Sequence, residues 1–388
     1  MKNIVHIDLN AFFAQCEENR NPEYKNVPLA IGYDGKRGVV STANYIARKF
    51  NVNSGMPMYK AKQNCPNLVI VKGDYNLYSQ VSRRFMSFLK NKFPKLETAS
   101  IDECYLDMSD YFNEENAKSF LTDLQLEIYF KLHLKCSIGY SYNRFLAKMS
   151  SDYKKPMGLT ICLHEDYKKL FWPMKISKMY GIGKKTSPKL EELGIKTIKD
   201  LALTNSKDVK ELLGSGFQLF HNWANGVASD EITIIPGENK SLSNMETLEN
   251  DEDDVSILKS VLRVLVKNLY FELKKMNKTS SSICLTLRDQ NFVTHSKRKT
   301  INNFNTFEEL YFYTDKLFDE FYNGEKIRLI GFGFENLKNK DAKKITDEFN
   351  LFTEENENTE NTNTLIRDLE SKYNLKLTTL NNINKNDN

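Results

Sequence analysis

Two adjacent acidic residues interrupt a segment that otherwise has the alternating pattern of a half-buried strand, TASIDECYLDMS at residues 98–109. Carboxylates side by side repel each other and resist desolvation, so a group outside this segment should compensate Asp102 and Glu103. A third acid, Asp8, ends the strand pattern IVHID near the N-terminus. If the two strands pair, all three carboxylates meet at one end of a sheet, where their oxygens are suitable ligands for Mg²⁺.

Two such ions, about 3.5 to 4 Å apart, could hold the attacking and leaving oxygens of a phosphoryl displacement, which is polymerase chemistry. The alternative is structural: Asp8 caps a helix that starts near Ala11, and Asp102 and Glu103 occupy a tight hairpin turn. The spacing of the acids alone does not distinguish the two interpretations.

The bulk composition favours a multi-domain globular protein that binds a polyanion. A chain of 388 residues predicts two to four domains, and no apolar run approaches the roughly 18 residues of a membrane span. The N-terminus lacks a signal-peptide pattern, which predicts a cytoplasmic location. Residues 341–388 contain ten acids and six bases, which leaves a net charge of +8 on residues 1–340. The six cysteines form no CxxC pair and are interpreted as reduced core residues.

The hydrophobic pattern predicts four structured units and a tail. An α+β sheet domain combines strands at 4–9, 97–101, 104–108, 136–141 and 158–162 with helices at 117–132 and 144–153. An insertion at about 11–75 forms a small lobe, and short basic helices follow from Ile176 to about Ala228. A further α/β unit from about Lys240 to Leu337 has a long helix at 255–276 and strands at 281–287 and 328–334.

Four motifs occur in a fixed order: HIDLNAFFAQCE, VVSTANYIARKFNVNSGMP, ASIDECYLDMSD and SDYKKPMGL. Together they resemble the Y-family, DinB-type translesion DNA polymerases over about Lys2 to Leu337. The resemblance implies an α+β, multi-domain right-hand polymerase with a ferredoxin-like palm, small fingers, a helical helix-hairpin-helix thumb and an α/β little finger. The implied bounds are 1–10 and 76–166 for the palm, 11–75 for the fingers, 167–235 for the thumb, 240–340 for the little finger and 341–388 for a partly disordered tail.

The resemblance also assigns catalytic roles to the acidic motifs. Asp8, Asp102 and Glu103 would be the catalytic metal ligands, with the Leu9 main-chain carbonyl as a further ligand. Two Mg²⁺ ions per site are implied. They and the nucleotide they hold would be the compensating partner that the two adjacent acids require.

The motif TANYIAR predicts a triphosphate site. Tyr45 and Arg48 share a helical face, and Thr42 is placed to cap the start of that helix. Hydroxyls and a guanidinium suit phosphate oxygens, and the resemblance assigns these three residues and Lys155, in KKPMG, to the triphosphate. Without the resemblance, Arg48 would be interpreted as a solvated helix residue and Lys155 as part of a routine basic loop.

Two phenylalanines follow the first acidic motif, and the resemblance places both Phe12 and Phe13 at the nucleotide. Phe13 matches the steric gate that would collide with a 2′-hydroxyl, whereas two core phenylalanines would be the ordinary interpretation. Ser41, Gly55 and Met56 match positions that cover the nascent base pair. Their modest size implies low fidelity and lesion tolerance.

Two basic segments are candidate DNA contacts. YGIGKKTSPKLEELGI resembles a helix-hairpin-helix, although GxG alone would indicate an ordinary tight turn. THSKRKT resembles the little-finger strand that follows the DNA backbone, with a solvated loop as the alternative. The candidate contacts are Gly181, Gly183, Lys184, Lys185, Ser296, Arg298, Thr300 and Arg328.

Two further motifs need interpretation. DEDD at 251–254 is attributed to favourable charge at a helix N-terminus, so no proofreading domain is predicted. DEFNLF at 347–352 resembles a bacterial sliding-clamp peptide, with Phe349, Leu351 and Phe352 as contacts, but Glu348 stands where Gln is usual. A segment docked on the core is the alternative.

The sequence therefore predicts a translesion DNA polymerase, monomeric, that uses primer-template DNA and a deoxynucleoside triphosphate (dNTP). Two other functions remain open. A palm-type nucleotidyl cyclase could use the same carboxylates, although it would not need a thumb or a basic little finger. A catalytically silent DNA-bridging protein is also compatible with the pattern, although the retention of all three acids disfavours it.

Overall fold

The computed structural model describes residues 2–235, 237–302 and 304–340, and the chain divides into two units. The first unit spans Met1–Glu238 and the second begins at Asn239. Each unit has its own sheets and its own buried core. The α+β class expected from the sequence is confirmed.

The first unit contains two sheets and eleven described α-helices. Its strands are β1 Ile4–Leu9, β2 Leu29–Gly32, β3 Val40–Ala43, β4 Val69–Val71, β5 Leu96–Thr98, β6 Glu103–Asp107, β7 Cys136–Ser141 and β8 Leu159–Cys162. Its helices are α1 Phe12–Arg20, α2 Tyr45–Lys49, α3 Met58–Asn64, α4 Tyr75–Lys92, α5 Ala117–Leu132, α6 Arg144–Tyr153, α7 Asp166–Leu170, α8 Ser187–Glu192, α9 Ile198–Leu203, α10 Lys207–Leu213 and α11 Phe217–Ala224.

The main sheet has the order β5-β6-β1-β7-β8 and is built around the fully buried strand β1. The odd-numbered residues of β1 join the core that α4 and α5 cover. Ile4 instead packs with Ala147 of α6, which lies against β1, β7 and β8. Because side chains alternate along a strand, Asp8 faces the same side as Ile4, toward α6.

The hairpin between β5 and β6 differs from the expected strand at 97–101. Strand β5 ends at Thr98, and residues 99–102 form a bend that precedes Glu103, the first residue of β6. Asp102 therefore lies in the hairpin turn and Glu103 does not. Asp8 does not cap the next helix, because Ala11 is the N-cap residue of α1 and makes no side-chain capping bond.

The insertion forms a three-stranded sheet in the order β3-β2-β4 and has its own small core. The expectation that Thr42 caps the helix is wrong. Thr42 lies in β3, and the side chain of Asn44 caps α2 by accepting a 2.9 Å hydrogen bond from the Ala47 amide. Asn44 is the last residue before the helix, which is the position from which a side chain can reach that amide.

Short helices between Ile176 and Ala224 surround a third hydrophobic cluster in the first unit. The last of them, α11, ends at Ala224, four residues before the expected end of the helical pattern.

The second unit packs two long helices on a sheet with the order β12-β11-β13-β9. Its elements are β9 Ser241–Glu252, α12 Val255–Lys275, β10 Lys278–Thr279, β11 Ser282–Asp289, β12 Thr294–Thr300, α13 Phe307–Asp319, β13 Ile327–Glu335 and β14 Lys338–Asn339. Asp254 caps α12 through bonds from the Ser256 and Ile257 amides, as expected for the end of DEDD, whereas Asp251 and Glu252 belong to β9.

None of the helices within 2–235, 237–302 and 304–340 is long and apolar enough to cross a membrane. The expectations for the tail, including the clamp contacts Phe349, Leu351 and Phe352, fall on 341–388, outside the described residues.

Candidate active site

The acidic residues of the two motifs meet at one end of the main sheet. Asp8 of β1 is the register partner of Glu103 on the antiparallel strand β6. Directly opposed residues project from the same face, with Cβ atoms about 4.5–5.5 Å apart. The Leu9 amide donates a 3.0 Å hydrogen bond to the Asp102 carbonyl, which holds the hairpin turn against the end of β1. The structure thus brings together the two acidic segments that the sequence singled out.

Two lysines form ion pairs with Asp8 and Glu103. Lys148 Nζ lies 3.0 Å from Asp8 Oδ2 and 2.6 Å from Glu103 Oε1. Lys155 Nζ lies 2.7 Å from the same Asp8 oxygen. Asp152 contacts both ammonium groups, at 3.3 Å from Lys148 and 2.7 Å from Lys155. The compensating charge therefore comes from α6 and the turn that follows it.

The pKa values of the two carboxyls shift in opposite directions, although both groups are largely buried. Desolvation, together with the neighbouring Glu103, raises the pKa of Asp8 to about 7. Burial alone would also raise the pKa of Glu103, but His6, Asp8 and Lys148 hold that pKa well below its usual range. Of the two carboxyls, Glu103 is therefore the stronger acid and Asp8 the weaker.

Ser100 makes a hydrogen bond to Asp102, and the His6 ring lies beside Glu103 without one. His6 Nδ1 is 2.7 Å from Ser151 Oγ and its Nε2 is 3.7 Å from Glu103 Oε2, while burial lowers the pKa of His6 to about 4. The Ser100 hydroxyl donates a 2.7 Å hydrogen bond to Asp102 Oδ1, and burial raises the pKa of Asp102. These contacts limit the directions in which the carboxylates can point.

The donor chemistry of the site fits a divalent cation. Asp8, Asp102 and Glu103 offer hard oxygen ligands, and desolvated carboxylates gain most from a nearby positive ion. The Lys148 ammonium lies between Asp8 and Glu103. In the described part of the chain, no group of three His, Cys, Asp or Glu side chains is arranged to bind a metal ion.

The expected triphosphate residues lie close to this end of the sheet. The guanidinium of Arg48 stacks over the Tyr45 ring at 4.7 Å, and its Nε donates to the Ala43 carbonyl at 2.9 Å. Burial raises the pKa of Tyr45, on which the charges of Arg48, Lys155 and Asp8 also act. The Tyr45 hydroxyl is buried and has no hydrogen-bond partner within the described residues.

The two phenylalanines after the first motif have different surroundings. Phe12 is 2% exposed and belongs to the core, which leaves little of this residue open to a nucleotide. Phe13 is partly exposed and stacks on Tyr78, with the ring centroids 4.4 Å apart. The interpretation of both residues as core phenylalanines holds for Phe12, whereas Phe13 packs against the edge of that core and keeps part of its surface exposed.

The three residues expected over the nascent base pair are neighbours. Ser41 is the exposed residue of β3. Gly55 and Met56 are tied to that strand, because the Gly55 amide donates to the Val40 carbonyl and the Val40 amide donates to the Met56 carbonyl, at 2.8 and 2.9 Å. Gly55 has φ of 80°, a left-handed backbone conformation that favours glycine, although a Cβ atom at this position would meet no other atom within 4 Å.

The helix-hairpin-helix segment forms a turn before α8. Gly181 has φ of 89°, and a Cβ atom there would come within 2.7 Å of the Phe220 ring. Gly183 has open space around it, and Lys184 and Lys185 are exposed. The glycines therefore have separate roles, one for packing and one for an accessible backbone.

The basic segment of the second unit is strand β12, so its interpretation as a loop is wrong. Ser296, Arg298 and Thr300 are exposed, while the alternate residues Lys297 and Lys299 reach Glu320 at the end of α13. Arg298 binds Glu335 with both carboxylate oxygens, at 2.8 and 2.9 Å. Arg328 of β13 stacks over Phe292 at 4.4 Å.

Sequence reasoning missed four residues that build the site: Lys148, Asp152, Ser100 and Asn44. A signal existed for Lys148, because it is a lone lysine in the apolar run FLAKM of a helix. Long charged side chains are rarely buried unless they are paired.

The comparisons with known proteins agree with this geometry. Models for the impB/mucB/samB family, its C-terminal domain and the IMS family HHH motif match residues 7–152, 239–346 and 164–195. DNA polymerase IV of Oceanobacillus iheyensis is 35% identical over 359 residues, which is 91% of this chain and 84% of that protein. DNA polymerase IV of Listeria monocytogenes serotype 4a is 37% identical over 344 residues, 87% of this chain and 96% of that protein.

Solved structures give the same result. A Y-family DNA polymerase chimera is 28% identical with a TM-score of 0.76, covering 87% of this chain and 100% of its own. The insertion ternary complex of Dbh DNA polymerase is 28% identical with a TM-score of 0.59 and the same coverage. The resemblance found in the four motifs is confirmed, and the chain belongs to the impB/mucB/samB family of Y-family DNA polymerases.

Proposed function

We propose that this chain is a DNA-directed DNA polymerase of the translesion type, which adds deoxynucleotides to a primer 3′-hydroxyl as a template directs. The observation that carries the proposal is the pairing of Asp8 with Glu103, with Asp102 beside them and Lys155 against Asp8. Relatives named DNA polymerase IV and the ternary complex of Dbh DNA polymerase support the choice of substrates.

In the proposed reaction the primer 3′-oxygen bonds to the α-phosphorus of the nucleotide, the bond between the α- and β-phosphates breaks, and pyrophosphate leaves. Asp8, Asp102, Glu103 and the Leu9 carbonyl would hold divalent metal ions, two Mg²⁺ by the sequence prediction, whose chemistry when bound is to neutralise phosphate charge and acidify a hydroxyl.

The remaining residues bind and orient the nucleotide. The Tyr45 hydroxyl has no partner among the residues that the structure describes, and Arg48 has four further N–H donors for phosphate oxygens besides the one bonded to Ala43. When the nucleotide binds, the Lys155 ammonium would leave Asp8 and contact a phosphate instead. This change would also free the Asp8 carboxylate. Phe13 would lie beneath the sugar and exclude a 2′-hydroxyl, with Phe12 contributing main-chain contacts and Thr42 supporting the pocket.

Each predicted domain has its own role in the proposed function. Residues 1–10 and 76–166 are the palm, 11–75 the fingers, 167–235 the thumb and 240–340 the little finger. The turn from Gly181 to Lys185 would bind a DNA phosphate through backbone amides, and β12 would follow the backbone with Ser296, Arg298 and Thr300. Arg328 would add charge. The modest size of the residues over the base pair, Ser41, Gly55 and Met56, would give low fidelity.

A monomeric state, a cytoplasmic location and a contact with the sliding clamp remain predictions. The clamp prediction depends on residues outside the described part of the chain.

Primer extension on a defined template with Mg²⁺ and dNTPs tests the proposal. Templated extension is the expected result. Formation of a cyclic nucleotide would instead support the cyclase, and DNA binding without turnover would support the bridging protein.

Asp102→Ala should abolish extension while DNA affinity stays within about twofold, because the carboxylate acts on the reacting phosphate and not on the duplex. Asp110→Ala is the matched control, since Asp110 is an exposed acid in the turn after β6 that pairs with Lys95. Full activity of Asp102→Ala would remove this acid from the catalytic set.

A further inference from the structure

The ring of Phe13 is held by two tyrosines of α4. The Tyr78 ring lies almost parallel to it, with centroids 4.4 Å apart and an interplanar angle of 13°. Tyr75 meets Phe13 edge-on at 5.7 Å. The orientation of Phe13 therefore depends on where Tyr78 is held.

Tyr78 is fixed by a buried acid on α1. Its hydroxyl donates a 2.8 Å hydrogen bond to Glu17 Oε1, and both residues are 0% exposed. Burial is the main cause of the raised pKa of Tyr78, so the hydroxyl stays protonated and remains a donor.

Arg20 completes this network. Its Nη2 lies 2.6 Å from the second carboxylate oxygen of Glu17, and its Nη1 lies 2.8 Å from Asp74 Oδ2. Asp74 is the N-cap residue of α4, the helix that carries Tyr78. A buried carboxylate with both oxygens bonded is a costly feature that holds its partners in one geometry.

We propose that Glu17 is a positioning residue for sugar discrimination, which acts through Tyr78 to keep the Phe13 ring where it collides with a 2′-hydroxyl. The inference rests on the proposed polymerase function and on Phe13 as the steric gate. A ring that can tilt or retreat relieves a steric collision, whereas a ring stacked on an anchored partner cannot.

The test compares the kcat/KM of a deoxynucleotide with that of the matching ribonucleotide in primer extension by the full chain. Tyr78→Phe keeps the stacked ring and removes only the hydroxyl, and Glu17→Gln removes the charge that Arg20 neutralises. Each variant should lower the deoxy-to-ribo ratio by about tenfold, chiefly by improving ribonucleotide use, because a bond to a charged group is lost.

Tyr140→Phe is the matched control. Tyr140 is a buried tyrosine of the same unit whose hydroxyl bonds to Asn3 Oδ1 at 2.9 Å and whose ring packs on Phe112. It should leave the ratio unchanged. Phe13→Ala alone should already lower the deoxy-to-ribo ratio strongly. Adding Tyr78→Phe to this variant should not lower the ratio further.

An unchanged ratio in folded Tyr78→Phe and Glu17→Gln would overturn the inference, as would an equal loss in the Phe13→Ala background. Thermal unfolding identifies variants that do not fold, and Arg20→Met tests the same network from a partly exposed position. If Phe13→Ala itself leaves the ratio unchanged, the steric-gate assignment and this inference are wrong, but the proposed polymerase function is not affected. If the wild-type chain extends no primer, the proposed polymerase function and this inference are both wrong.

Discussion

At the scale of single residues, Lys148 is the centre of the charge balance. Its side chain is 8% exposed and lies between Asp8 and Glu103. Burial alone would lower the pKa of Lys148, but Asp8, Asp152 and Glu103 together raise it, so the ammonium stays charged. Removing it would leave two carboxylates near each other with one lysine instead of two.

Lys148→Met should therefore lower the free energy of unfolding by about 3 kcal/mol, because buried charges lose a partner. Urea denaturation measures the change. Lys131→Met is the control: Lys131 is 61% exposed and pairs with Glu127 on the surface of α5, so its loss should cost less than about 1 kcal/mol. Equal costs for the two variants would contradict the role given to Lys148.

Lys155 and its neighbour Lys154 provide a second contrast at this scale. Lys155→Ala should raise the KM for the nucleotide by about tenfold, since it removes a charge from the triphosphate site. Lys154 is exposed at the end of α6, and Lys154→Ala should leave KM unchanged. Steady-state primer extension measures both, and a larger effect at Lys154 would reverse the assignment.

At the scale of elements, strand β12 sorts its basic residues between two faces. Lys297 and Lys299 contact Glu320 at the end of α13, while Ser296, Arg298 and Thr300 stay exposed. This two-residue period follows from strand geometry and makes only one of the faces available to DNA.

Arg298→Ala should weaken DNA binding and reduce the slope of log affinity against log salt by about 1, because one phosphate contact is lost. Lys299→Ala should reduce that slope less, because the Lys299 side chain is 30% exposed, whereas that of Arg298 is 67% exposed even though it pairs with Glu335. Fluorescence anisotropy over a salt series measures the slopes. The assignment fails if the two variants behave alike.

At the scale of the whole molecule, the described residues form two units with separate cores, and the cysteines are distributed over both. Cys16, Cys65, Cys104, Cys136 and Cys162 are buried, and Cys284 is partly exposed. Burial raises the pKa of all six thiols, for Cys16 and Cys162 to about 12. The sequence interpretation of the thiols as core residues therefore holds for five of them.

Alkylation of the native protein with iodoacetamide at pH 8 should label Cys284 first and the other five only after unfolding, because thiolate and access are both needed. Mass spectrometry of the digested protein measures the sites. Rapid labelling of Cys104 or Cys136 in the folded chain would contradict the buried first core.

The sequence by itself determined the class of elements, the order of the motifs and the family. Strand β1, helix α5 and helix α6 begin and end where the periodicity predicts, since apolar period and capping are properties of neighbouring residues. It also predicted Asp8, Asp102 and Glu103 as one site, although the acids alone left a structural alternative open and the resemblance of the four motifs favoured the site.

Only the tertiary structure decided which side chains pair with the buried acids. Lys148 reaches Asp8 across 140 positions of the chain, and Glu17 reaches Tyr78 across 61. Such pairs depend on how helices pack over a sheet, and no local pattern specifies a partner that far away. The tertiary structure also decides which face of β12 is exposed. The strand period groups its residues into two alternating sets, and the packing of α13 determines which set contacts Glu320.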